Sequence, residues 1–264
     1  AGRVYLLLLV GTSMLLMLPA IVWTAAIAGT LDFTPGGILA GKASPLMTGI
    51  LVALFAFGIG KAALMPIHYW LPTAMVAPTP VSALLHAVAV VKAGVFSVTK
   101  VVVYVFGVDF LAETGSSQWL VFVAAFTLVM ASVIAMSKDN LKARLAYSTV
   151  SQLAYVVLAA ALVVPAGIMA AGTQIAMHAV GKITLFFCAG AIYTAAHMTE
   201  ISDMVGIGRK MPVTMFAFLI GSLSIIGLPP LGGAWTKWYL MLGAVESEHI
   251  FVAVVLLVSS LLNV

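Results

Sequence analysis

The sequence has 264 residues, of which 63% are hydrophobic and 8% charged, with a net charge of +4. A soluble domain carries roughly 25% charged residues, so an ordinary globular domain is excluded. Five of the twelve Lys and Arg lie inside apolar runs, so the basic balance does not argue for a nucleic-acid partner.

The apolar runs are near-continuous and reach the ~20 residues that a spanning helix needs. Transmembrane strands would instead alternate with period two. The fold class expected is therefore an all-α polytopic membrane protein with about eight transmembrane helices, a single transmembrane domain over residues 1–264. The first span is Val4 to Ala28, too long for a cleaved leader and without a small-residue cleavage site. A Gly- and Pro-containing loop follows. The second span, Met47 to about Met75, is broken at Pro66, because proline removes a donor and clashes with the preceding turn. The third runs from Pro80 to Phe106, and a loop from Asp109 to Ser117 leads to the fourth, Trp119 to Met136. After a short charged turn, the fifth is Leu145 to Val163, and Pro165 to Gly167 turns the chain into the sixth, Ile168 to about Ala196. That run exceeds what a bilayer requires and is expected to tilt or project. The seventh starts at Pro212, is broken at Pro229 and Pro230, and resumes at Ala234; the eighth begins near Ile250.

Loop charges agree with this count. One side carries Arg3, Lys138, Lys142, Arg144, Arg209 and Lys210, and the other carries Lys42 alone. Cytoplasmic loops are the ones enriched in Lys and Arg, so the first residue is expected on the cytoplasmic side. The two broken spans would cross in opposite directions, as in an inverted-topology repeat. The match in detail is poor, because Lys61 precedes Pro66 whereas Lys237 follows Pro229 and Pro230.

Lys61, Lys92, Lys182 and Lys237 sit well inside spans, too far from either end to snorkel. Lys100 lies near the end of its span and can reach the interface. Intramembrane charge is costly and marks function by default. His178 and Lys182 share a helix face, as do Ser82 and His86. A lone histidine in an apolar run is often a hydrogen-bonded packing residue; beside lysines it reads as part of a relay. Low dielectric penalises the ammonium form, so a lysine so placed exchanges its proton readily. Histidine exchanges near neutral pH in any case. A row of such groups bridged by water is a proton wire. The fifth span adds Ser148, Ser151, Gln152 and Tyr155, which either join helices or line a wet path. All eight acidic residues lie in loops or at span edges, so the buried lysines lack a carboxylate partner within the spans.

No catalytic residue, metal site or cofactor site is expected. Cys188 is the single cysteine and can form neither a disulfide nor a thiolate cluster alone. Gly36 to Ala43 has phosphate-loop spacing but lacks the Ser or Thr and the preceding strand.

Four stretches carry a family resemblance: GKAALMPIHYWLPTAMVAPTPVSALLHAVAVVKAGVF, DNLKARLAYSTVSQLAY, MHAVGKITLFFCAGAIYTAAH and MPVTMFAFLIGSLSIIGLPPLGGAWTKWYL. Here the chain resembles the antiporter-like membrane subunits shared by Mrp-type multisubunit cation/proton antiporters and respiratory complex I. The resemblance implies a fourteen-helix fold with two inverted five-helix repeats, each with a broken helix. It implies proton translocation along Lys61, His86, Lys92, His178, Lys182 and Lys237, with Lys61 and Lys237 at the two broken helices. It also implies other membrane subunits as partners, with protons and Na+ as the ions moved. VVKAGVF leans towards the D-type member of the Mrp antiporters. The alternatives are a proton-pumping subunit of NADH-quinone oxidoreductase or a membrane-bound hydrogenase, and a non-transporting scaffold whose lysines hold lipid heads. A bacterial inner membrane is the expected location. The family pairs the first broken-helix lysine with a glutamate on an earlier helix, which is absent here. The chain opens on Ala1 without methionine and ends at Val264 within an apolar run, so a fragment is expected, matching spans six to thirteen of fourteen and inactive alone.

Overall fold

The computed structural model describes residues 2–262; the expectations for Ala1 and for the run's end at Val264 fall outside them. Among the described residues every regular element is helical, apart from one isolated antiparallel bridge between Asn140 and Glu200. The order is α1 (Gly2–Ala28), α2 (Pro45–Gly58), α3 (Thr79–Phe106), α4 (Val108–Thr114) and α5 (Gln118–Met136). Then come α6 (Leu141–Ala161), α7 (Pro165–Ala196), α8 (Pro212–Ile226), α9 (Gly232–Glu246) and α10 (Ile250–Leu262). By length and composition α1, α3, α5 and α7 can each cross a membrane, and α2, α8 and α10 are shorter apolar helices. The 32 residues of α7 make a rod of about 48 Å.

α6 is the centre of the bundle. Its sequence is the least apolar of the long helices, yet every residue from Thr149 to Ala161 is buried. It packs against α3, α5 and α7. Asn140 caps its start by accepting the Ala143 amide at 3.1 Å.

Contacts between connecting segments sort onto two ends of the bundle. At one end the α5–α6 turn pairs with the α7–α8 loop, through Leu141 N to Thr199 O and Ile201 N to Asp139 O, both at 3.0 Å. Lys142 donates to Ala77 O, before α3, at the same end. At the other end, Ile38 and Leu39 donate to Tyr104 and Val105, Ser116 donates to Pro45 O, and Ser117 to Ala161 O. This is the partition that eight crossings require. Lys100 lies at that second end with its ammonium over the Phe33 ring at 4.4 Å, which fits its reading as an interface residue.

The second span differs from a simple kinked helix. After α2 ends at Gly58 the chain does not resume a long helix. It runs through short turns, Gly60–Ala62, Ile67–Tyr69, Trp70–Thr73 and Ala74–Val76. Pro66, Pro72 and Pro78 deny it a helical ladder. Freed backbone groups are met from outside: Gly60 O accepts from Trp70 Nε1 at 2.9 Å, and Met65 N donates to Thr127 Oγ1 at 3.2 Å. The segment expected as a loop from Asp109 to Ser117 contains α4, bounded by Gly107 and Gly115 at positive φ. Three stretches of wide turn, Ser13–Met17, Leu84–Val88 and Val101–Phe106, were not foreseen from the sequence. Such π turns are rare and frequent at functional sites.

Close approach at the second break demands glycine. A Cβ on Gly233 would lie 1.7 Å from Ser224 O, whereas one on Gly172 would meet nothing within 4 Å. Gly233→Ala should therefore lower the thermal unfolding temperature in detergent, at a cost of ~1–3 kcal/mol. Gly172→Ala should not lower it, and equal behaviour of the two would contradict the packing at this break.

At the paired loops, the Ser202 hydroxyl and amide beside Asp139 hold its carboxyl below the usual carboxylate range. A depressed carboxyl stabilises the folded loops above the unfolded value, and that contribution is lost as pH falls through the folded one. Pulse-labelling hydrogen exchange should find the Ser202 amide protected at about pH 5 and exposed only below the ordinary aspartate value of about 3.9. Loss of protection already at pH 5 would refute this.

Candidate functional site

Three helices bring the central row together. α7 places Gln174, His178 and Lys182 on one face, at successive four-residue steps. α6 runs back beside it and sets Ser148 and Gln152 opposite. Lys182 Nζ donates to Ser148 Oγ at 2.9 Å and to Leu145 O at 3.2 Å. Gln174 Nε2 donates to Gln152 Oε1 at 2.7 Å. From α3, Lys92 Nζ is hydrogen-bonded to His178 Nδ1. With Nδ1 accepting, neutral His178 carries its own proton on Nε2.

These groups are inside the protein, not at a lipid edge. Lys182 and His86 are 0% exposed, His178 2% and Lys92 7%, which leaves none of them able to reach a lipid head. The hydrogen-bond partners of Lys92 and Lys182 are neutral: an imidazole, a hydroxyl and a carbonyl. His86 lies in the π turn Leu84–Val88, its ring 5.4 Å from Phe186. Neither of its nitrogens has a hydrogen-bond partner among the described residues, nor has His178 Nε2.

Lys237 is built into the second break. α8 ends at Ile226, and Gly227 at φ 90° turns the chain towards α9. Lys237 reaches back from α9 to donate to Ile226 O, and donates also to Ser260 Oγ of α10 at 2.7 Å. The carboxyl end of α8 presents partial negative charge there, which favours a cation. The Tyr155 ring lies 5.5 Å from the ammonium. Gln174, Tyr155, Thr236 and Lys237 line one narrow gap, so the Gln152–Gln174 pair stands between the central row and Lys237.

Lys61 stands apart. It sits in the turn Gly60–Ala62, against which Gly94 of α3 packs so closely that a Cβ there would be 2.4 Å from the Lys61 carbonyl carbon. Its side chain is exposed and lines a separate cavity of about 280 Å³ with Ser13 and Met17 of the α1 π turn and Ser97. The structure therefore joins Lys92 to His178 directly, sets Lys182 one helical step from His178 with its ammonium on α6, sets His86 beside them, and keeps Lys61 and Lys237 at the two broken segments.

Other residues singled out from the sequence divide. Ser82 donates to Ala77 O and is not joined to His86. Ser151 pairs with Ser132 at 2.8 Å, and Ser132 with Ser259 at 3.3 Å, a tie between α5, α6 and α10. Pro66 precedes the turn Ile67–Tyr69, and Pro229 and Pro230 lie between α8 and α9. Gln174 and Ser260 were missed; Gln174 was legible as the residue one helical step before His178. Among the described residues, no group of three or more His, Cys, Asp or Glu is placed to hold a metal ion.

Residues 1–263 match the family model described as NADH:quinone oxidoreductase/Mrp antiporter, TM. Over 224 residues the chain is 39% identical to NADH-quinone oxidoreductase subunit N of Desulforudis audaxviator, covering 83% of this chain and 44% of that one. It is 36% identical over 213 residues to NAD(P)H-quinone oxidoreductase chain 5 of Synechocystis sp., covering 76% and 30%. The chain thus spans less than half the length of these relatives. In fold it matches a chain of the Mrp complex from Dietzia sp. with a TM-score of 0.87 and 24% identity, covering 99% of this chain and 48% of that one. A chain of an archaeal membrane-bound sulfane sulfur reductase matches with a TM-score of 0.83 and 26% identity, covering 96% and 52%. The chain is an integral membrane protein and belongs to the NADH:quinone oxidoreductase/Mrp antiporter transmembrane family.

Proposed function

We propose that this chain moves protons within a multisubunit monovalent cation/proton antiporter, with Na+ the cation exchanged and other membrane subunits its partners. The observation that carries this is the buried contact of Lys92 with His178, one helical turn from Lys182. Three titratable bases without a carboxylate among their hydrogen-bond partners form a poor structural ion pair and a good proton relay. The proton passes between Lys92 and His178, on to Lys182 through His178 or His86, and towards Lys237 past Gln152 and Gln174. Lys61 serves as the terminus at the first break and Lys237 at the second. The Lys138 and Arg144 end faces the cytoplasm, in a bacterial inner membrane.

A second reading places the chain in a NADH-quinone oxidoreductase, where it would do the same proton transfer. The 39% identity to the Desulforudis audaxviator protein favours it. The two readings separate on purification: co-purified flavin and iron–sulfur absorbance supports the second, and Na+-dependent proton movement without them supports the first. A scaffold with lipid-holding lysines is disfavoured by the burial of Lys92 and Lys182.

In proteoliposomes holding the assembled complex, Lys61→Ala and Lys237→Ala should each abolish cation-driven proton movement while the subunits still co-migrate on a native gel. Normal proton flux in a well-assembled variant would refute the relay. Gln174→Leu should slow flux by about tenfold, as a barrier raised by roughly 1.4 kcal/mol would.

A further inference from the structure

A cavity of about 480 Å³ runs from the central row to the paired loops. Lys182 and Ser148 lie at its inner end. Its outer end is formed by Arg144 and by Ile201, Met204 and Ile207 of the α7–α8 loop. Between them the walls are apolar, with Leu145, Leu185, Met215, Phe218 and Ile225. Constrictions with such walls gate by excluding water.

The outer end is held by a compact set of hydrogen bonds between two loops. Asp139 accepts the Ser202 hydroxyl at 2.6 Å and the Ser202 amide at 3.1 Å. Asn140 Nδ2 donates to Glu200 Oε1 at 2.9 Å. Backbone bonds tie Leu141 to Thr199 and Ile201 to Asp139. Arg144 is fixed at the same place by Lys138 O and Met136 O, each at 3.1 Å. The bonds between Asp139 and Ser202 are exposed, so water competes for both partners and each bond is weak. They can open without disturbing the helices. Glu200 and Ser202 flank Ile201, so their release frees the stretch that lines the outer end of the cavity.

We propose that Asp139, Asn140, Glu200 and Ser202 form a clamp whose opening admits water from the loop side to Lys182. The four are positioning residues: they touch no proton of the relay, and they set whether the relay's central lysine is reached from this side. What travels along the route rests on the proton-transfer reading; access itself does not.

Two measurements on the assembled complex in membranes test this, in a Cys188→Ala background. Ser222 lines the cavity on α8. Modification of Ser222→Cys by 2-aminoethyl methanethiosulfonate should quicken about tenfold when Asp139→Ala or Ser202→Ala is added, because the open form of the loops becomes more populated. An unchanged rate would overturn the clamp. Separately, with Ser222 retained, Asp139→Cys with Ser202→Cys should form a disulfide that slows proton movement on oxidation and restores it on reduction. Full proton movement in the oxidised form would overturn the gate. If the unlocked complex moves no protons at all, the functional reading fails while the labelling result still decides access.

Discussion

An ammonium group cannot stay inside an apolar helical bundle without partners, and the organisation of this protein follows from how three such groups are kept there. Isolated charges in low dielectric are strongly disfavoured. Here Lys182 is met by a hydroxyl and by a carbonyl of α6, and Lys92 by an imidazole. That requires a polar helix at the centre of the membrane domain, which is why α6 is the least apolar of the long helices and the most deeply buried. It also requires α3 and α7 to present their bases towards one another. Neutral acceptors hold the lysines without trapping a proton, as a carboxylate close by would favour the charged form.

Broken helices solve a related problem. Unwound backbone in a membrane survives only where protein or a wet cavity meets its donors and acceptors. At the first break, Trp70 and Thr127 do this, and glycines at the contact points let α1 and α3 close on the turn. At the second break the exposed carbonyl of Ile226 has a use, because it binds Lys237. The two breaks are thus alike in placing a lysine beside interrupted backbone. They differ in solution: Lys237 is tied to its helix end, and Lys61 faces a cavity.

Much of this was legible in the chain. The spacing of apolar runs and the sidedness of loop charges gave eight crossings, and loop contacts such as Asn140 to Glu200 and Ser116 to Pro45 fall at the ends that count requires. Lys92, His178 and Lys182 were conspicuous because a charge in a span is rare enough to be a signal by itself. What stayed hidden depends on partners distant in sequence or on small changes of winding. The π turn at Leu84–Val88 shifts the faces of α3, and Ser82 bonds Ala77 in place of His86. Ser151 bonds Ser132, so two residues three apart on α6 serve different ends, one fastening helices and the other receiving Lys182. The tie from Lys237 to Ser260 joins elements that no local pattern connects.

The central claim is that the buried lysines exchange protons and are not fixed charges. Lys92→Arg separates the two, because arginine keeps the positive charge and does not release its proton. The decisive measurement is cation-driven proton flux in proteoliposomes holding the assembled Lys92→Arg complex, with assembly checked on a native gel. The relay predicts that flux is lost although the complex is intact. Flux equal to that of the unsubstituted complex would contradict it.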